Sequence, residues 1–442
     1  MTRELVLGIL LQVTRDGEYS HIALRNVLNK YQYLDKKERA FITRVTEGTL
    51  EHMLELDYII NQYSKVPTNK MKPVIRNILR SAVYQIKYMD SVPNSAACNE
   101  AVKLATKKGF TNLKGFVNGV LRSIERNLDT LELPEDLSIR YSMPTWILEQ
   151  WLACYEKECV EKMLVDFQKE KPTTIRVNEN VMSKETLKKR LEEEGLTVKE
   201  HPYLPYALQI SNYDYLADLE TFQQGAFSVQ DISSMLVAHI ANPKDGDYVI
   251  DVCAAPGGKS LHMAELLHQS GHVEARDLTE YKVNLIWDNI ERSGLKNIEA
   301  VQWDATVLHE ESIEKADIVV ADLPCSGLGV LGKKTDLKYK MTKEMQDDLV
   351  KLQRQILSKV KSYVKPGGTL IYSTCTIHKE ENIENVHWFL NNNSEFQLVS
   401  MKEQLCKELR EDVQEEGTLQ LLPGIHESDG FFIAKLKREK HD

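Results

Sequence analysis

Asp251-Val-Cys-Ala-Ala-Pro-Gly-Gly-Lys-Ser260 is the stretch on which the fold turns. It follows an apolar run, Tyr248–Val252, and precedes a helical pattern, Leu261–Leu267. Adjacent glycines let a backbone approach a ligand closely, and a helix start offers unpaired N–H groups. A P-loop needs a glycine five residues before the glycine of Gly258-Lys-Ser260, and that position is Cys253. The G-x-G-x-x-G dinucleotide fingerprint is also missing. A nucleoside site without phosphate demands remains, and S-adenosylmethionine, with a ribose and a charged amino acid, fits it.

Working outward, further strands are expected at His272–Ala275, Ile298–Gln302, Asp317–Ala321 and Thr369–Tyr372, with helices at Tyr281–Ser293 and Glu344–Val364. Such alternation predicts an α/β, doubly wound, mainly parallel sheet, with ligands at the carboxyl ends of its strands. Upstream, strands at Thr173–Val177, Thr197–Lys199 and Ala207–Ile210 and a helix at Ser183–Glu194 predict a small α+β unit. Before it, apolar residues recur at helical steps, as in Val74-Ile75, Ile78-Leu79, Ala82-Val83 and Ile86. The expected division is an all-α bundle over 1–132, a helical segment plus α+β subdomain over 140–230, and a catalytic domain over 231–442.

Of the 442 residues, the first 130 hold 20 Lys and Arg against 13 Asp and Glu, although the whole chain carries −10. That asymmetry suits a first domain that meets a polyanion, or equally one whose solvated face is basic. Seven cysteines with no disulfide spacing and no C-x-x-C pair argue for reduced thiols and against a metal. No apolar run approaches the roughly 20 residues that span a bilayer. Leu5, Ile9 and Val13 recur at helical spacing, so the N-terminus reads as a first helix and not a signal peptide. A cytoplasmic, monomeric, metal-free protein is expected.

Asp277 ends the strand after the glycine loop, where an acid can accept from ribose hydroxyls or simply cap a helix. Asp304 follows the third strand and could accept from the adenine amino group, or be an ordinary loop acid. Asp322-Leu-Pro-Cys-Ser-Gly327 and Ser373-Thr-Cys-Thr376 each follow a strand and would project into the same cleft. A lone cysteine is usually core, but two at neighbouring strand ends suggest chemistry. A thiolate adding to carbon 6 of cytosine makes carbon 5 nucleophilic enough to take a methyl group. Positive charge must favour that thiolate, with a helix N-terminus and the sulfonium as expected sources. Asp322 could stabilise the adduct near ring nitrogen 3. These residues alone do not rank Cys325 against Cys375.

The motifs DVCAAPGGKS, DLPCSG and YSTCT resemble those of the RNA cytosine-5 methyltransferase family, as do Phe222–Asp231 (FQQGAFSVQD) and Asp429–Leu436 (DGFFIAKL). Residues 1–130 resemble the helical RNA-binding domain of the antitermination factor NusB, through Asp35–Phe41, Pro93–Val102 and Phe116–Arg122. The pairing resembles one bacterial branch of the family, which modifies a 16S rRNA cytosine. The resemblance implies Cys375 as the nucleophile and Cys325 as the thiol that assists release. It implies that Cys253, Ala254, Ala255, Pro256, Gly257, Gly258, Lys259, Asp277, Asp304 and Asp322 contact S-adenosylmethionine, and that 16S rRNA or a small-subunit assembly intermediate is the partner. Thr335 and Tyr339 replace a Pro and a Trp common in the family, and Arg276 stands where an apolar residue is commoner. The basic run Gly332–Tyr339 is still expected to meet RNA backbone. Transfer RNA or another rRNA site is the alternative substrate. A non-catalytic RNA-binding assembly factor is the alternative class, disfavoured because a binding module needs neither thiol.

Overall fold

The computed structural model describes residues 1–413 and 415–440. The chain divides into two compact units, Met1–Gln168 with Leu331–Lys340, and Lys169–Val330 with Met341–Asp442. Among the described residues no helix is long and apolar enough to cross a membrane.

The first unit is helical. Thr2–Thr14, Ser20–Lys30, Lys36–Glu51, Met53–Tyr63, Pro73–Tyr88, Asn94–Lys107 and Lys114–Asn127 form a bundle. The periodic residues Ile75, Ile78, Leu79, Ala82 and Val83 are buried along Pro73–Tyr88. Pro73 opens that helix, where a missing N–H costs nothing. Asp35 accepts from the Glu38 N–H at 2.8 Å and caps Lys36–Glu51.

Leu331–Lys340, with its basic run, belongs to this unit. Asp336 accepts from the Ser20 hydroxyl at 2.5 Å and the Ser20 N–H at 3.1 Å. Lys338 donates to the Glu51 carbonyl at 2.9 Å, and Tyr339 to the Ser142 carbonyl at 3.0 Å. Lys338 is only 4% exposed, and burial pulls its ammonium down to about 8. It is a structural tie, not a phosphate contact; of the run, Lys333 and Lys334 stay exposed.

The second unit contains two sheets. β1 (Thr173–Val177), β2 (Thr197–Glu200), β3 (Ala207–Ser211) and β4 (Phe227–Val229) form an antiparallel sheet in the order β2-β3-β1-β4. Strand β4 was not expected; it pairs with β1 through Ile175 and Val229. Helix Lys184–Glu193 packs Leu187 and Leu191 with Ile175, Leu208 and Phe227.

The larger sheet comprises β5 (Tyr248–Asp251), β6 (His272–Asp277), β7 (Ile298–Gln302), β8 (Ala316–Asp322), β9 (Val364–Thr374), β10 (Phe396–Leu398), β11 (Thr418–Leu421) and β12 (Phe431–Arg438). Its order is β10-β12-β9-β8-β5-β6-β7, with β11 on β12. Strands β5 to β9 run parallel, and β12 is antiparallel to β9, so the doubly wound sheet ends in an antiparallel edge. Winding goes from β5 to β6 and β7, then restarts on the other side with β8 and β9. The switch point therefore lies between β5 and β8, where ligands of such sheets bind. The turn after β5 and the loops after β8 and β9 leave adjacent carboxyl ends.

Candidate active site

Gly257, at φ +101°, turns the chain from β5 into helix Gly258–Leu266. A Cβ there would also come 3.2 Å from the Ile286 side chain, a tight contact on top of the left-handed backbone that favours glycine. No side chain caps this helix, which leaves its first N–H groups for a ligand or water. Asp277 Oδ2 accepts from the Ala255 N–H at 2.9 Å, and its Oδ1 from the Leu278 N–H at 2.8 Å. Cys253, Ala254, Ala255, Pro256, Gly257 and Gly258 are thereby gathered beside Asp277. Arg276 does not compete for that acid. Its guanidinium bonds Glu274 at 2.7 Å and Ser312 at 2.5 Å and lies over the Tyr363 ring.

Asp304 caps its own turn, accepting from the Thr306 N–H at 2.9 Å and hydroxyl at 2.7 Å; the hydroxyl bond holds its carboxyl below the usual range. Asp251 is buried. Its Oδ2 accepts from Ser260 at 2.6 Å, whereas its Oδ1 has no well-formed donor, and burial pushes the carboxyl up to about 7. Burial, then Asp251 and Asp277, raise the Cys253 thiol, so Cys253 keeps its proton.

Lys259 is held in an ion pair. Its ammonium stands 2.7 Å from Asp322 Oδ2 and 5.4 Å from the centre of the Phe431 ring. Burial works against its charge, but Asp322, Asp251 and Cys375 outweigh burial and raise its pKa. The first turn of helix Gly258–Leu266 thus holds a cation paired with Asp322, with Cys375 among its electrostatic neighbours. Asp322 Oδ1 meanwhile accepts from Ser373 at 2.8 Å.

Cys325 and Cys375 come together, sulfur to sulfur, at 3.2 Å. The Cys325 thiol is raised well above its ordinary value by its hydrogen bond to Cys375 first, then by burial, Glu381 and Asp322. Their loops are pinned by the Gly329 N–H donating to the Cys375 carbonyl at 3.1 Å, and the Gly430 N–H to the Gly329 carbonyl at 2.8 Å. A Cβ on Gly329 would lie 2.0 Å from the Gly430 oxygen, so this close approach admits no side chain.

Sequence reasoning missed Arg176, Gln230 and Glu381. Arg176, on β1, donates to both oxygens of Glu265 at 2.9 and 2.8 Å and to the Gly258 carbonyl at 3.0 Å, and also bonds Gln230. A charged residue inside an otherwise β-like run was its one signal. Among the described residues no group of three or more His, Cys, Asp or Glu is placed to hold a metal ion.

Family models match over three regions. Residues 238–437 match the 16S rRNA methyltransferase RsmB/F, 143–215 a ferredoxin-like domain of RsmF/B-like methyltransferases, and 1–126 the NusB family. The chain is 36% identical to the probable ribosomal RNA small subunit methyltransferase B of Bacillus subtilis, over 99% of this chain and 98% of that protein. The crystal structure of PH0851 superposes with a TM-score of 0.83 at 27% identity, covering 99% of this chain and 98% of its own. That of NSun6 from Pyrococcus horikoshii with SFG superposes at 0.59 with 25% identity, covering 67% of this chain and 99% of its own. With homology over nearly its whole length and a NusB-family domain at its start, the chain belongs to the RsmB/F family of 16S rRNA methyltransferases.

Proposed function

We propose that this chain moves a methyl group from S-adenosylmethionine to carbon 5 of a cytosine in 16S rRNA, through a covalent bond between Cys375 and carbon 6 of the base. The observation that carries this is the pair of thiols 3.2 Å apart, with the Lys259–Asp322 ion pair beside them at 2.7 Å.

The residues present fit S-adenosylmethionine. Asp277 accepts two backbone N–H bonds and pairs with the Lys282 ammonium at 3.0 Å, and its two oxygens still keep a lone pair for a ribose hydroxyl. The uncapped start of Gly258–Leu266 and the undersatisfied buried Asp251 carboxylate suit a ligand with both a carboxylate and a cationic group. Cys253 to Lys259, Asp277, Asp304 and Asp322 would hold it, and it supplies an activated methyl group when bound. The related NSun6 structure contains SFG, an analogue of that compound.

Cys375, as thiolate, adds to carbon 6 and pushes the ring electrons toward carbon 5. Lys259 favours that anion by its charge. Asp322 holds the adduct near ring nitrogen 3. Once carbon 5 has gained its methyl group, its proton passes to water and the electrons of that C–H bond expel the Cys375 sulfur from carbon 6. Cys325, which keeps a proton beside the departing sulfur, assists release. Residues 1–132, with their basic excess, grip RNA; 140–230 extend that grip; 231–442 carry the chemistry. We read the protein as a cytoplasmic monomer that needs no metal.

Bisulfite sequencing of RNA from cells with and without the gene tests this. One 16S cytosine should resist conversion only when the gene is present. A protected site in transfer RNA would move the substrate, and no difference in any RNA would end the proposal.

A further inference from the structure

Glu381 lies in a short turn, Lys379–Glu381, and is entirely buried. Its sequence setting, His378-Lys-Glu-Glu-Asn382, reads as a solvated charge run, and the reaction as described makes no use of it. Yet its carboxylate is fully engaged. Oε2 accepts from the Ser326 N–H at 2.8 Å and from Gln353 Nε2 at 2.9 Å, and Oε1 meets His378 Nδ1 at 3.0 Å. Gln353 also donates to the Pro324 carbonyl at 2.9 Å, so the residues on both sides of Cys325 are tied to this one carboxylate. The other thiol loop joins through Ser326 Oγ, 2.8 Å from Thr376 Oγ1, the residue after Cys375.

Charged groups from several elements face this pair of sulfurs. Cys325 faces Cys375 from the loop after β9, Glu381 from the turn beyond it, and Asp322 from the end of β8. Around Glu381 stand His378, whose Nε2 is 2.7 Å from Glu380, and neutral Gln353, while Tyr372 donates to its backbone carbonyl. Lys259, paired with Asp322, is an electrostatic neighbour of Cys375. The Glu381 carboxylate is bonded directly beside Cys325, through the Ser326 N–H, and reaches the Cys375 loop only through the Ser326 hydroxyl.

We infer that Glu381 is a positioning residue, which clasps the two thiol loops together and keeps the shared proton on Cys325, so that Cys375 is the sulfur that attacks. It acts through the Ser326 amide and through its charge, without touching substrate. The inference deepens the proposed function and rests on its assignment of the thiols. Because two interacting thiols titrate as a pair, a fixed charge on one side decides which holds the proton. A neighbouring charge within about 4–6 Å shifts such a balance by about ten-fold or more.

The test is thiol labelling of the full-length protein with iodoacetamide from pH 6 to 9, with each labelled peptide located by mass spectrometry. In the unaltered protein Cys375 should react at lower pH than Cys325. E381Q keeps an acceptor for the Ser326 N–H and removes the charge; it should raise Cys325 labelling relative to Cys375 by about ten-fold. E381D, which retains the charge, should restore most of the preference. Preferential labelling of Cys325 in the unaltered protein overturns the inference, and this needs no folded variant. So does an unchanged ratio in E381Q with native melting behaviour. No RNA enters the experiment, so a missing bisulfite signal with intact thiol preference would strike the choice of substrate and spare Glu381.

Discussion

The sulfurs of Cys325 and Cys375 stand 3.2 Å apart, close enough to share one proton. Two thiols so placed cannot both ionise cheaply, and the raised Cys325 thiol keeps the proton. Single replacements should therefore differ in kind. Cys375→Ala should abolish methylation and give no adduct. Cys325→Ala should stall release and leave an enzyme–RNA adduct that survives a denaturing gel. An adduct in the Cys375 variant would reverse the roles.

In the proposed mechanism Lys259 supplies the positive charge that a thiolate needs, a source not foreseen beside the helix dipole and the sulfonium. Lys259→Met removes it and leaves Asp322 without its ion pair at 2.7 Å. The single-turnover methylation rate should fall by roughly 10²–10³-fold, the scale for losing one preorganised charge, with RNA affinity unchanged. A rate within a few-fold of the unaltered enzyme would leave the thiolate to other sources.

Arg176 links the antiparallel sheet to the cofactor-loop helix from 1% exposure. Arg176→Met strands Glu265 without its partner and should cost about 3–5 kcal/mol in urea unfolding. Removing both charges, with Arg176→Met and Glu265→Leu, should recover much of that loss, since the desolvation penalty then disappears too. A double variant no better than the single would mean that the bond to the Gly258 carbonyl, at 3.0 Å, carries most of the effect.

Asp336 accepts from Ser20 twice and pairs with the Lys340 ammonium at 3.1 Å, all within the first unit. Asp336→Ala leaves the buried Ser20 N–H and hydroxyl without this acceptor, which costs about 1–3 kcal/mol per unpaired group. The thermal transition of the first unit should drop, while Lys334→Ala, at an exposed position, should leave it unchanged. Equal melting of the two variants would remove the Ser20–Asp336 clasp from the stability of this unit.

The parallel part of the larger sheet was legible because strand-like runs alternate with helical patterns, and β5, β8 and β9 each run into a motif, as Tyr248–Asp251 does into its glycine turn. Strand β4 was not, because Phe227–Val229 is three residues long and lies within a run read for its family resemblance. Motif spacing also placed Cys325, Cys375 and Asp322 at neighbouring strand ends. Local sequence said nothing about pairing over distance. Lys338 looks like a phosphate ligand until its ammonium meets the Glu51 carbonyl, 287 residues away. Glu381 and Arg176 are charged, and charged residues are read as solvated unless a partner is visible. Their partners, Ser326 and Glu265, are 55 and 89 residues distant.

His52 gives the first unit an acid-sensitive element. It joins Lys36–Glu51 to Met53–Tyr63, stacks on Tyr88 at 4.3 Å between ring centres, and bonds Glu55 at 3.1 Å. Burial, opposed by Glu51, pulls its imidazole down to about 4. An unfolded histidine titrates near 6.5, so between that pH and 4 the unfolded chain binds the proton first. The neutral ring's contribution is therefore present above about 6.5 and lost as pH falls through 4, by up to about 3 kcal/mol. Glu47 works the other way. Burial and Glu51 raise it to about 7, so its contribution grows as pH falls from there toward the ordinary carboxyl range. The opposing slopes would mask each other in the unaltered protein, and a variant separates them. His52→Phe keeps an aromatic ring against Tyr88 and removes the titration. Whatever it costs at pH 7, its stability relative to the unaltered protein should improve by up to about 3 kcal/mol on going to pH 4. A difference that stays constant with pH would mean that His52 takes up its proton equally readily in the folded and unfolded chain.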